Sequence, residues 1–186
     1  MRRVIMLALL ALALPTAALA TTVDFASVAT ASNPATLTGS VTTGGSFTLS
    51  FTGSLSIDGG AFTAGSITFS INVGASCGSG CFDIASGSTV TVMDASNTVI
   101  FTGTFQTGAG DKITSSGSSL GILGNLTNGI ASAGVLSLAQ CDAGEGVSCW
   151  TGSADVQAAV PEPGSLALLS TGLLGLAGIV RRKLSV

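Results

Sequence analysis

Ile67-Thr68-Phe69-Ser70-Ile71-Asn72-Val73 alternates apolar and short polar side chains without a break. Successive side chains of an extended backbone point to opposite faces. The stretch therefore sets Ile67, Phe69, Ile71 and Val73 on one face and Thr68, Ser70 and Asn72 on the other. The pattern recurs on either side. Phe47, Leu49 and Phe51, then Leu55 and Ile57, interleave with Ser and Thr; Val90 and Val92 do the same, and Val99, Phe101 and Phe105 follow. Period two with hydroxyls opposite predicts half-buried antiparallel strands. Asp58-Gly59-Gly60, Gly78-Ser79-Gly80, Asp94-Ala95-Ser96-Asn97 and Gly108-Ala109-Gly110-Asp111 supply the turns between them. Short strands so punctuated predict an all-β domain, an antiparallel sandwich or jelly-roll-like arrangement, over residues 21–159. A segment of that length suffices for one core. From Ile113 to Gln140 the signal weakens. Leu120, Ile122, Leu123, Leu126 and Ile130 suggest a short helix, but Gly121, Gly124 and Gly129 oppose one. The expectation there is a loop-rich region, then a strand near Val135 to Leu138.

The chain has 186 residues, with 6 Lys+Arg, 9 Asp+Glu and no His. Without His, Ser-His-Asp and Cys-His catalysis and His-ligated metal sites are excluded. Five of the six bases, Arg2, Arg3, Arg181, Arg182 and Lys183, lie at the termini. Between residues 21 and 160 only Lys112 opposes Asp24, Asp58, Asp83, Asp94, Asp111, Asp142, Glu145 and Asp155. Such a sparsely charged, acidic body lacks the basic footprint of a nucleic-acid binder and is repelled by anionic membranes.

Both ends carry targeting signals. Met1-Arg2-Arg3 is a basic start, Val4 to Leu14 an apolar run, and Pro15 breaks any helix before Ala18-Leu19-Ala20. This is the layout of a secretory signal peptide over residues 1–20. Signal peptidase is expected to read Ala18 and Ala20 and to cut before Thr21. At the other end, Val160-Pro161-Glu162-Pro163-Gly164 precedes an apolar run to Val180 and then Arg181-Arg182-Lys183. Residues 164–180 are expected to form a transmembrane helix of about 25 Å at about 1.5 Å per residue, the short end of what spans a bilayer. The basic end at 181–183 is expected to stay cytoplasmic.

In these three features, in this order, residues 160–186 resemble the PEP-CTERM sorting signal of Gram-negative bacteria. The resemblance implies handling by an exosortase, a multi-spanning membrane enzyme with a cysteine nucleophile that cuts near Pro161, Glu162 and Pro163. It further implies export across the inner membrane, transient anchoring through 164–180, and delivery to the cell surface or an exopolysaccharide matrix, as in biofilms. Two prolines around Glu162 hold that segment extended, as a protease substrate must be.

Cys77, Cys81, Cys141 and Cys149 form an even set in an exported chain, so structural disulfides are expected. Three pairings exist, and the local one, Cys77 with Cys81 and Cys141 with Cys149, is favoured because Gly78 and Gly80 ease the required turn. A zinc site from all four is disfavoured by their spacing, so no metal and no cofactor are expected.

Candidate chemistry in the centre is thin, and the chain reads as a non-enzyme. Asp142 and Glu145 are a carboxylate pair in a small loop, and Trp150 beside Cys149 is a sugar-stacking candidate or, more simply, core. No local motif supports a Ser-Lys dyad through Lys112. Thr36/Thr38, Thr89/Thr91 and Thr102/Thr104 each offer two hydroxyls on one strand face. An ice-matching face needs such pairs on successive, evenly stacked strands, whereas these lie at irregular separations along the chain. Thr also suits any exposed strand face, so ice binding ranks low. The leading expectation is a structural or adhesive matrix protein, with signal peptidase and an exosortase-like enzyme as partners and exopolysaccharide as a candidate ligand. The alternatives are a carbohydrate-binding surface module and a permanently tail-anchored protein.

Overall fold

The computed structural model describes residues 21–108, 110–137 and 146–160. The signal peptide, the loop holding Asp142 and Glu145, and the tail with its expected transmembrane helix lie outside them. Among the described residues there is no helix, and so none long and apolar enough to cross a membrane.

The strands in chain order are β1 (Thr21–Ala29), β2 (Ala35–Gly39), β3 (Ser46–Thr52), β4 (Ser56–Ile57), β5 (Gly65–Gly78) and β6 (Cys81–Ile84), then β7 (Thr89–Asp94), β8 (Val99–Thr104), β9 (Lys112–Ser116), β10 (Ser119–Leu126), β11 (Gly129–Ser137) and β12 (Val147–Val160). The all-β antiparallel class expected from the alternation is what forms. Its closure is that of a barrel. Eight strands run β11-β10-β9-β6-β5-β3-β2-β12, and β12 pairs back onto β11 along Gly129↔Ala158 to Ser137↔Trp150. Closure leaves no open edge along that path.

Two strand pairs branch from the ring where long strands change neighbours. The first half of β5, Gly65 to Ser70, pairs β7, which pairs β8; its second half, from Val73, pairs β6. Likewise β12 meets β2 through residues 147–150 and neighbours β1, which pairs β4. Phe25 of β1 and Phe101 of β8 bring the two branches together, ring centroids 5.7 Å apart. The point where β5 changes neighbours is held by Ser88, whose buried hydroxyl accepts from Asn72 N (2.9 Å) and donates to the Ala85 carbonyl (2.7 Å).

The core follows the alternation. Phe47, Leu49, Phe51, Ile67, Phe69, Ile71, Val73, Val90 and Val92 are all buried, with Phe51 and Phe69 edge to face. The region expected to be loop-rich is instead β9, β10 and β11, an antiparallel meander in continuous register. Leu120, Ile122, Gly124 and Leu126 all face inward. Gly124 stands where an apolar residue would otherwise be, because the Phe105 ring fills its place: a Cβ there would lie 2.6 Å from Phe105 Cδ1. An inward glycine and an outward, 55% exposed Leu123 hide the period of two.

Candidate functional site

The outer face of β2-β3-β5-β7-β8 is the most regular surface feature. Because inward positions are apolar, the residues between them all point outward, and strand register decides which become neighbours. One row across the five strands reads Thr36↔Ser50↔Thr68↔Thr91↔Thr102. The next reads Thr38↔Thr48↔Ser70↔Thr89↔Thr104. Every position in both rows is a hydroxyl residue; none is charged or aromatic. Strand geometry places these side chains about 4.8 Å apart along a row and about 6.8 Å apart between rows. Some bond to each other, as Ser50 Oγ and Thr68 Oγ1 do at 3.2 Å. The three threonine pairs that lie at irregular separations in the chain thus stand on neighbouring, aligned strands, joined by Thr48/Ser50 and Thr68/Ser70. Sequence separation conceals this because it carries no information on register.

At one end of this face the surface dips into an open groove of about 360 Å³. Thr38, Ser46, Thr48, Ser70, Asn72 and Gly87 line it. The Asn72 side chain donates to the Ser86 carbonyl (3.0 Å), which fixes the amide and leaves its remaining groups for the groove. Gly39 and Gly87 border it, both at positive φ (99° and 82°), a conformation that glycine adopts without strain, and at Gly39 a Cβ would lie 2.3 Å from the Ser46 carbonyl oxygen.

Other candidates separate. Trp150 is buried, 8% exposed, so its ring packs in the core and offers no face to a sugar. Its indole N–H has no partner among the described residues. Cys77 and Cys81 are joined in the favoured local disulfide, Cα atoms 5.1 Å apart, across the β5–β6 turn. Gly80 is required there, since a Cβ would lie 2.1 Å from the Ser115 carbonyl oxygen. Cys149 is also disulfide-bonded; Cys141, its partner in the local pairing, lies outside the described residues. No group of three His, Cys, Asp or Glu is placed to hold a metal among them.

Two acidic sites were not singled out by the sequence. Asp111 is buried; its Oδ1 accepts from Asn125 N (2.8 Å) and Nδ2 (3.0 Å), tying the turn before β9 to β10. Asp155 lies beside Asp24, and its carboxyl is raised above the ordinary 3.8 by burial first, then by the Asp24 charge and a hydrogen bond to Asp24. A proton on Asp155 lets the two carboxyls share that bond.

Of the signal residues, Thr21 opens β1, while Ala18 and Ala20 lie outside the described residues. Pro161, Glu162, Pro163, Arg181, Arg182 and Lys183 also lie outside, but β12 runs up to their threshold at Val160. Residues 159–183 match the family model of the PEP-CTERM protein-sorting motif. The tail is a PEP-CTERM sorting motif. This makes the chain an exported protein addressed to an exosortase for surface sorting. The match covers the tail and leaves the barrel outside it. No curated protein and no solved structure matches the chain.

Proposed function

We propose that this PEP-CTERM protein delivers its β-barrel to the cell surface or the extracellular polysaccharide matrix, where the barrel has a structural or adhesive rather than catalytic role. Signal peptidase removes residues 1–20, the helix at 164–180 holds the chain in the inner membrane, and an exosortase releases it near Pro161–Pro163. The sorting motif at 159–183 is the observation that carries this reading. The fold is compatible with both cuts. β1 begins at Thr21 and β12, which closes the barrel, ends at Val160, so cleavage at either junction leaves every described strand whole. Ala158 is buried and Ala159 N donates to the Asn128 carbonyl at 2.8 Å, which fastens the last strand just before the motif.

The test is a P161A/P163A double variant expressed in the native host, followed by cell fractionation. The wild type is expected in the extracellular or surface fraction and the variant in the inner membrane at full length. Equal distribution of the two chains would contradict exosortase processing. A wild type found only in membranes would favour permanent tail anchoring.

A further inference from the structure

The hydroxyl face and its groove suggest what the barrel holds once outside the cell. We infer that the groove formed by Thr38, Thr48, Ser70 and Asn72 on the β2-β3-β5 face binds a neutral polysaccharide chain. This inference rests on the matrix reading above and names the ligand class for it.

The chemistry of the lining sets the class. Hydroxyls both donate and accept, and an amide supplies both functions in one plane, so the site matches a ligand with many mixed donor–acceptor groups and no net charge. None of the rows carries a cation, and the described barrel holds one base, Lys112, against Asp24, Asp58, Asp83, Asp94, Asp111 and Asp155. An anionic polymer is repelled by that balance; a neutral one is not. At about 360 Å³ the groove falls in the range of small-molecule sites, large enough for short stretches of a sugar chain.

Shape separates this ligand from an ice plane, the other partner for a lattice of hydroxyls. Adjacent strands rotate by about 20–25°, so five strands accumulate on the order of 80–100° of twist. A rigid flat lattice would lose contact after two or three strands. A chain lying in a local groove follows the surface instead. With no exposed aromatic ring in the rows, a single site binds weakly, and many copies in one matrix provide retention by multivalency.

The experiment is affinity electrophoresis of the full chain in mild detergent through gels containing dextran, a soluble neutral β-glucan, or alginate as an anionic counter-probe. Two triple variants are compared with wild type: T38V/T48V/S70A in the groove and T91V/T102V/T104V on the same face beyond it. Their melting temperatures report folding, and T48S tests rescue by a retained hydroxyl. Retardation by at least one neutral glycan but not by alginate is expected. The groove triple should lose it at least about tenfold, and the distant triple and T48S should keep it. Absence of retardation in both neutral gels, retardation by alginate alone, or equal loss in both triples would overturn the inference. So would thermal hysteresis and faceted ice crystals from the wild type, which would reassign the face to ice. Binding in a gel does not depend on sorting, so its failure leaves the fractionation result standing, and the reverse holds too.

Discussion

Two regions of the sheet, β3-β5-β7 and β10-β11-β12, are built from different materials. In β3, β5 and β7 the inward residues are large, Phe47, Leu49, Phe51, Ile67, Phe69, Val90 and Val92, and the outward ones almost all carry hydroxyls. In β10, β11 and β12 the inward residues mix large Leu120, Ile122, Leu126, Val135, Trp150 and Val156 with small Gly124, Ala131, Ala133, Ala154 and Ala158, and the outward face mixes Leu123, Ile130 and Leu136 with Asn125 and Asp155. The first region provides uniformly large core residues and a chemically uniform surface. The second closes the ring with large side chains interrupted by glycine and alanine. Stability should therefore be concentrated in the first region, and sensitivity to added volume in the second.

The strongest test of that contrast is Phe69→Ala, which removes a fully buried ring and is expected to cost about 3–5 kcal/mol in chemical denaturation. A loss below about 1 kcal/mol would mean the large residues do not dominate. Gly124→Val probes the other region, where the added side chain meets Phe105 at 2.6 Å and Ile84 at 3.2 Å. Overpacking is expected to cost about 1–3 kcal/mol, and Phe105→Leu in the same chain should recover part of it. A neutral Gly124→Val would show that the Phe105 ring does not define the position.

The Cys77–Cys81 disulfide closes only a short turn, so C77S/C81S is expected to cost about 2 kcal/mol, a shift of roughly 6 °C in melting temperature. The smallest effect lies at Asp155. Its carboxyl is raised in the folded state, so the folded chain binds this proton more tightly than the unfolded one. The resulting stability is full below the ordinary value of 3.8 and is lost as pH rises through the raised value. Asp155→Asn should abolish that slope and stabilise the chain above it, by less than about 1 kcal/mol given solvent screening. An unchanged slope would place the proton elsewhere.

The same contrast explains what could be read from the chain alone. The strands containing Phe47–Phe51 and Ile67–Val73 were legible because their inward residues are large. The meander at β9 to β11 was not, since Gly124 sits inward for a reason located at Phe105, far along the chain. β12 is not legible because Ala154 and Ala158 give a weak apolar signal, and with it goes the barrel closure, which depends on β11–β12 pairing. The sorting tail was legible because it is a linear signal read by another protein. The hydroxyl rows required the register of five strands, a long-range property. Their residues were visible, but their adjacency was not.

The most direct test of the central claim is the intact mass of the protein from the extracellular and membrane fractions of its native host. The expected extracellular species begins at Thr21, ends near Pro161–Pro163, and lacks four thiol hydrogens. A chain running from Thr21 to Val186 and confined to membranes would contradict exosortase release.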